Sequence, residues 1–176
     1  MAQNVSLTGV ERTFADDEII VSKTDTTGRI MYANETFLRM ADMTEAETIG
    51  QPHAVIRHPE MPRAVFKLLW DTISAGKELF AYVVNRSKNG DHYWVLAHVT
   101  PSFDANGQIV GYHSNRRVAD KQVLDTVIKP LYKQLLEIEE SHANRKEGMN
   151  EAFNTLVKIL EDKGVSYDEF IFSLQH

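Results

Sequence analysis

The chain has 176 residues, of which 43% are apolar and 25% are charged, close to the average of a soluble globular protein with a real core. It contains no cysteine, which excludes disulfides, cysteine zinc sites, iron–sulfur clusters and thiolate nucleophiles. With 19 basic and 25 acidic residues the net charge is −6, and the sequence has no basic block. Nucleic acid is therefore not expected as a partner.

The sequence carries no signal for membrane insertion or export. No stretch approaches 18 consecutive apolar residues, and residues 1–6 lack both the basic start and the apolar run of a secretory signal. We therefore expect a cytoplasmic protein that does not insert directly into a membrane.

Residues from about 17 to about 118 mix alternating runs, turn dipeptides and short helical patterns. Two short strands are predicted first, joined by a hairpin turn in which Gly28 supplies the positive φ. Two short helices and a longer one are predicted next, because an N-cap, a capping box and a proline suited to the first helical position follow in turn. These start signals are Asn34, Thr44–Glu47 and Pro62.

The apolar pattern then changes its period from about 3.6 to about 2, which predicts three antiparallel strands. Asn-Gly dipeptides at Asn89 and Asn106 separate these strands, and Asn-Gly is a strong hairpin signal. A five-stranded antiparallel sheet with short helices on one face satisfies this order of elements best. The predicted class is α+β, with a cavity between the sheet and its helices.

From about residue 119 the sequence has almost no Gly or Pro, and helical spacing takes over. Pro130 interrupts the first apolar stripe, so a kink or a restart is predicted there. The stripes are too short to predict a coiled coil. Two interpretations stay open. The helices could fold back on the sheet or on each other, or they could form a surface for a dimer or for docking to a receptor. The predicted divisions are an N-terminal extension, the α+β domain and a helical segment, at 1–16, 17–118 and 119–176.

Two long and compositionally unusual runs are similar to a known family. They are Gly50–Pro62 and Val84–Val95, and they resemble the flavin-binding PAS domain of bacterial aerotaxis receptors. The likeness extends from about Asp17 to Tyr132. Because the sequence shows no membrane anchor and no methyl-accepting signalling rod, it is similar to the stand-alone soluble members of that family, as is its ending, Gly164–Ile171.

The resemblance implies a PAS fold that binds FAD non-covalently and acts as a soluble redox or energy-taxis sensor. Its implied partner is a membrane-bound methyl-accepting chemotaxis transducer, and the C-terminal helices offer a surface for a homodimer. The redox state of the flavin would change the hydrogen bonds it makes, and through them the partner contact. Since cysteine is absent, photochemistry through a cysteinyl adduct is excluded.

Arg57 and His58 are the candidates for the phosphate end of a dinucleotide. Two prolines follow them and fix the local backbone, and arginine binds phosphate oxygens in bidentate fashion. A surface arginine paired with Glu60 and a capping histidine explains the same pattern without a ligand. The resemblance implies flavin-affecting residues at Arg57, His58 and the acid Glu60, where the family more usually has Asp.

Four further candidates would contact the flavin ring. The side-chain amides of Asn34 and Asn85 offer both a donor and an acceptor, although Asn34 also suits a helix N-cap and Asn85 a solvent-facing strand end. Trp70 and Tyr93 offer flat walls, with ordinary core packing as the alternative for each ring. The family's aromatic residue at position 79 is leucine here, which alters that part of the wall.

His53 is the last candidate, as a residue that shapes the flavin pocket. A haem-binding gas sensor is an alternative on the same fold, with His53, His58 or His113 as the axial ligand. A second alternative is a protein-interaction module that binds no cofactor. The sequence has no phosphate-loop, nucleophile-elbow or dinucleotide-binding glycine motif and no spaced metal-ligand set, so we predict neither an enzyme nor a metal site.

Overall fold

The computed structural model describes residues 4–175. Five strands form one antiparallel sheet, with β2 and β3 at its edges and the order β2-β1-β5-β4-β3. The predicted α+β class and the five-stranded sheet are confirmed. The strands are β1 Ile20–Thr24, β2 Ile30–Ala33, β3 Leu79–Arg86, β4 His92–Phe103 and β5 Ile109–Val118.

Within residues 4–175, seven α-helices pack around the sheet. Those between β2 and β3 are α1 Glu35–Ala41, α2 Glu45–Thr48 and α3 Arg63–Ser74, with a 3₁₀ turn at His53–Ile56 between α2 and α3. Those after β5 are α4 Lys121–Val123, α5 Lys129–Glu140, α6 Arg145–Lys163 and α7 Tyr167–Ser173.

The start of α3 differs from the prediction. Pro62 occupies the N-cap position instead of the first helical position, and it has no side-chain group that could cap the helix. The carboxylate of Glu139, from α5, accepts the backbone N–H groups of Arg63 and Ala64 at 3.2 and 2.8 Å. The free amides of α3 are therefore satisfied by a residue of the C-terminal segment.

Pro130 lies at the beginning of α5, and the chain before it forms a π turn, Leu124–Ile128. The Lys129 N–H donates to the carbonyl of Leu124, five residues back. A proline has no N–H to continue the α-helical ladder, which is consistent with a wide turn at this point. The helical chain runs on through the proline, with this wide turn in place of a restart.

Two apolar cores lie on the two sides of the sheet. The first lies between the sheet and the short helices that follow β2, and it includes Phe37, Ile56 and Val95. The second covers β3 and includes residues of α3, α5, α6 and α7, such as Leu135 and Leu156. The C-terminal helices thus fold back on the sheet, one of the two arrangements that the spacing left open.

Direct hydrogen bonds hold the C-terminal helices to β3. The hydroxyl of Tyr132, on α5, donates to the carbonyl of Tyr82 at 2.5 Å. The Phe80 N–H donates to the Asp168 carboxylate of α7 at 2.9 Å. Burial places the pKa of the Tyr132 phenol well above its ordinary value, so this hydroxyl stays a donor at physiological pH.

The N-terminal segment also packs against the sheet. His92, at the start of β4, donates its N–H to the carbonyl of Val10 and accepts from Arg12 N–H, at 3.0 and 2.7 Å. Residues 1–3 of the predicted 1–16 extension lie outside the described residues. The divisions near residues 17 and 119 stay predictions, since the segments on both sides of the α+β domain contact it.

None of the helices within residues 4–175 combines the length and the apolar character that crossing a bilayer requires.

Asp91 holds the N-terminal segment against the sheet, which predicts that the stability of the fold depends on pH. Hydrogen bonds from Thr8, Arg12 and Asn89 lower the pKa of Asp91 to about 2, from an ordinary value of 3.8. Its ionised form therefore stabilises the fold above about pH 4, and this contribution is lost as the pH falls towards 2. We expect Asp91→Asn to lower the thermal unfolding midpoint at pH 6 and to leave it unchanged near pH 2.

Circular dichroism melts between pH 2 and 6 measure this effect. Asp162→Asn, at an exposed position on α6, is the matched control and should melt like the wild type throughout. A deficit for Asp91→Asn of equal size at every pH would contradict the assignment.

Candidate ligand-binding cavity

A cavity of about 620 Å³ lies between the sheet and α3. Strand alternation decides which side chains face it, because Ala97 and Val99 of β4 pair with Arg116 and Ser114 of β5 and therefore share one face of the sheet. All four of these residues line the cavity. Its volume is within the range of small-molecule sites, about 300–1,000 Å³.

One wall of the cavity is aromatic and apolar. Trp70 on α3 and Tyr112 on β5 contact each other edge to face, with ring centroids 5.5 Å apart, and Phe66 lies one turn before Trp70. Gly28 packs against the indole, since a Cβ at this position would lie 3.1 Å from a Trp70 ring carbon. Gly28 thus serves the turn through its positive φ and leaves room for the ring.

The sheet wall carries a buried positive charge, Arg116. The residue is 2% exposed, and its guanidinium donates to the Ser22 hydroxyl and, at 3.4 Å, to Nε2 of His53. No carboxylate of residues 4–175 forms a salt bridge with it, and its Nε has no hydrogen-bond partner in this part of the chain. A buried cation without a counter-charge is costly, so this wall favours a negatively polarised ligand atom.

His53 is held as a neutral imidazole. Its Nε2 lies 3.0 Å from the Ser22 hydroxyl and faces the Arg116 guanidinium, so Nε2 acts as an acceptor and the proton resides on Nδ1. Burial, and then the charge of Arg116, lowers the pKa of His53 to about 3. His53, Ser22 and Arg116 form one network across the 3₁₀ turn, β1 and β5.

Asn85 and Arg57 are joined at the edge of the sheet. The backbone of Arg57 forms an isolated antiparallel bridge with Asn85 of β3, and both residues line the cavity. Asn85 is 4% exposed, and its Nδ2 has no hydrogen-bond partner among the described residues. Such a buried donor is rare in a folded protein, so this amide is available to a ligand. The Arg57 guanidinium lies over the Phe66 ring, 4.3 Å from its centroid.

Four of the predicted site residues line this cavity, and four do not. Those that line it are His53, Arg57, Trp70 and Asn85.

Asn34 and Tyr93 are not among the residues that line the cavity. The Asn34 carbonyl oxygen accepts from the N–H groups of Phe37 and Val21, and its amide donates to the Ile19 carbonyl. Its side chain is therefore used as an N-cap, the alternative role that the sequence offered. Tyr93 is fully buried in the core on the helix side of the sheet, and its hydroxyl has no partner among residues 4–175.

His58 and Glu60 lie beyond the β3 edge. His58 is 4% exposed, and its Nδ1 accepts the Glu60 N–H at 3.1 Å. Glu60 borders a second cavity of about 640 Å³, together with His92 and Trp94, on the side of the sheet that faces α5. Neither residue lines the first cavity, although Arg57 before them and Arg63 after them both do.

Sequence reasoning missed Arg116 and the residues that α6 contributes. An arginine on a strand next to Arg117 reads as solvent-facing. The alternation of Tyr112, Ser114 and Arg116, all placed on the face opposite Arg117, was the available signal. No signal in the sequence placed α6 beside the cavity, because that contact depends on how the C-terminal helices fold back.

The comparisons with known proteins agree with the fold. Residues 30–116 match the family model described as the PAS fold. The chain contains a PAS domain. It is similar to the aerotaxis receptor of Escherichia coli (strain K12), with 40% identity over 136 residues, which cover 77% of this chain and 26% of that receptor. The predicted resemblance to the PAS domain of aerotaxis receptors is thereby confirmed, and the stand-alone form stays a prediction.

The chain also has more distant matches. The nitrogen fixation regulatory protein of Klebsiella pneumoniae is 24% identical over 99 residues, which cover 56% of this chain and 20% of that protein. The chain thus spans about a quarter of the receptor and a fifth of this regulator. The dark structure of the Aureochrome1 LOV photoreceptor superposes with a TM-score of 0.56 and 23% identity, over 65% of this chain and 86% of that one, which shows the fold.

The low pKa of His53 predicts a pH-dependent stability of the ligand-free protein. Between about pH 6.5 and pH 3 the unfolded chain binds a proton at His53 that the folded chain does not bind, so stability falls as the pH is lowered. The slope for one proton is at most about 1.4 kcal/mol per pH unit. We expect His53→Gln, which keeps a hydrogen-bonding side chain, to flatten this dependence.

Urea unfolding between pH 4 and 7 measures the slope. His113→Gln is the control, because His113 lies on the opposite face of the sheet beside Asn115. Equal slopes for His53→Gln and the wild type would show that His53 is not held neutral.

Proposed function

We propose that this chain is a redox or energy-taxis sensor whose PAS domain binds a flavin, FAD, non-covalently and signals to a membrane-bound chemotaxis transducer. The observation that carries the proposal is a cavity with an aromatic wall on α3 and unpartnered buried polar groups on the sheet, in a PAS domain similar to that of an aerotaxis receptor. We also propose a sensory role without catalysis, in the cytoplasm.

The residues of the cavity fit a flavin. An isoalloxazine ring is flat and apolar on its faces, which suits the wall formed by Trp70, Phe66 and Tyr112. Its pyrimidine edge carries carbonyl and ring-nitrogen acceptors, which suit the free Asn85 amide and the Arg116 guanidinium. When bound, the flavin would supply reversible electron uptake. Asn34, His58, Glu60 and Tyr93 are left out of the proposed contacts.

The protein's own residues offer a route from the ring to the surface. Asn85 lies on β3, and the same strand holds α5 through the carbonyl of Tyr82. The Arg116 network joins β5 to β1 through Ser22. If the flavin changed the hydrogen bonds that it makes with Asn85 or Arg116, the change would therefore act on the strands against which the C-terminal helices pack. We propose that the transducer, or a second copy of this chain, reads the change on those helices.

A spectrum tests the proposal. We expect the protein as isolated, or after incubation with FAD, to show the two bands of oxidised flavin and to lose them with dithionite. A Soret band would establish haem in its place, and a protein that stays colourless under every loading condition would be an interaction module without a cofactor. Either result would overturn flavin sensing.

Asn85→Ala tests the proposed ring contact. Loss of one hydrogen bond should weaken FAD binding about five- to tenfold, because the net value of such a bond is about 1 kcal/mol. Fluorescence titration of FAD measures the affinity. Asn154→Ala, at an exposed position on α6, is the control and should bind FAD like the wild type. Equal affinities for Asn85→Ala and the wild type would remove Asn85 from the site.

A further inference from the structure

The cavity of the PAS domain is completed by a helix outside it. The family match ends at residue 116, whereas α6 begins at Arg145. Three side chains of the first two turns of α6 line the cavity all the same. They are Lys146, Met149 and Asn150.

The part of the cavity next to α6 is rich in positive charge. Arg57, Arg63 and Lys146 all line it, and none of the three forms a salt bridge with a carboxylate of residues 4–175. Lys67 lies in the same lining but is paired with Asp71 at 2.7 Å. The Glu139 carboxylate, which accepts the Arg63 N–H and acts on the Arg57 charge, offsets part of this charge. Three cations against this one carboxylate still leave a net positive potential.

The position of α6 is fixed by close backbone contacts. The Arg63 guanidinium donates to the carbonyl of Arg145 at 2.8 Å, which joins α3 to the start of α6. Gly148 packs directly on α5, since a Cβ there would lie 2.4 Å from the carbonyl oxygen of Glu139. Glu139 in turn caps α3. Lys146 is therefore held beside the cavity by the same contacts that order α3.

We propose that the phosphate-bearing end of the flavin is bound jointly by Arg57 and Arg63 of the PAS domain and by Lys146 of α6. This inference rests on the proposed function and adds a binding element to it. Arginine binds phosphate oxygens in bidentate fashion and lysine does so as a point charge, so the set suits a phosphate or a diphosphate. Asn150 adds a side-chain amide to the same lining.

The consequence is that ligand loading acts on the C-terminal helices. A phosphate bound between α3 and α6 would neutralise the mutual repulsion of Arg57, Arg63 and Lys146, and would hold α6 against the PAS domain. Riboflavin has the same ring but no phosphate, so it would fill the ring site without engaging Lys146. The holo and apo proteins would therefore differ at α6 whatever the redox state of the ring.

The test compares riboflavin, FMN and FAD as titrants of the full chain. We expect Lys146→Gln to weaken FMN and FAD about three- to tenfold and to leave riboflavin binding unchanged, because one cation at a partly exposed phosphate is lost. Lys158→Gln, an exposed position on the same helix, is the matched control and should leave all three affinities unchanged.

Hydrogen exchange of the wild-type chain provides a second measurement that needs no variant. Amides of α6 should exchange more slowly with FAD bound than with riboflavin bound at equal saturation. Lys146→Gln affinities that are unchanged, or weakened equally for all three flavins, would overturn the joint phosphate site, as would equal α6 protection by FAD and riboflavin. Flavin sensing would survive these results. A wild-type chain that binds none of the three would overturn the proposed function and this inference together.

Discussion

The structure depends on β3 being covered on both of its faces. β3 is an edge strand, and an uncovered edge strand exposes both a side-chain face and unpaired backbone groups. Its inward residues Val83 and Asn85 border the cavity, and its outward residues Tyr82 and Val84 lie in the core with the C-terminal helices. The Tyr132 hydroxyl bonds the strand's backbone directly. Ligand cavity and C-terminal helices thus share one strand as their common wall.

The second constraint is the charge of Arg116. Burial lowers its pKa to about 10, yet the group stays protonated at physiological pH, and its described neighbours are neutral: a hydroxyl, an imidazole held uncharged and the Phe37 ring, 5.3 Å from the guanidinium carbon. A cation–π contact and hydrogen bonds offset only part of the desolvation cost. The charge of Arg116 therefore has no full compensation in the cavity wall without a ligand. The amide of Asn85 likewise lacks a hydrogen-bond partner among the described residues.

Local signals predicted the fold well and the site only in part. The Asn-Gly turns, the Asn34 cap and the change of period predicted the sheet and the short helices, because these depend on neighbouring residues. The site depends on which side of the sheet edge a residue reaches. Arg57 and Glu60 are three residues apart, yet they border different cavities on either side of the sheet. Spacing along the sequence does not show which cavity a residue borders. It also does not show that α6 packs beside the first cavity.

The position of α6 has a consequence for how a signal leaves the PAS domain. Glu139 satisfies the first amides of α3, and Arg63 of α3 holds the carbonyl at the start of α6, so the roof of the cavity and the C-terminal helices exchange hydrogen bonds in both directions. A displacement of α3 by a ligand would break these hydrogen bonds unless α5 and α6 moved with it. Because tightly packed elements shift as units, we expect a displacement of α3 to move the C-terminal helices with it. In the proposed complex the ring would contact β3 and the phosphate end would contact α6, so two parts of one ligand would act on the same helical layer.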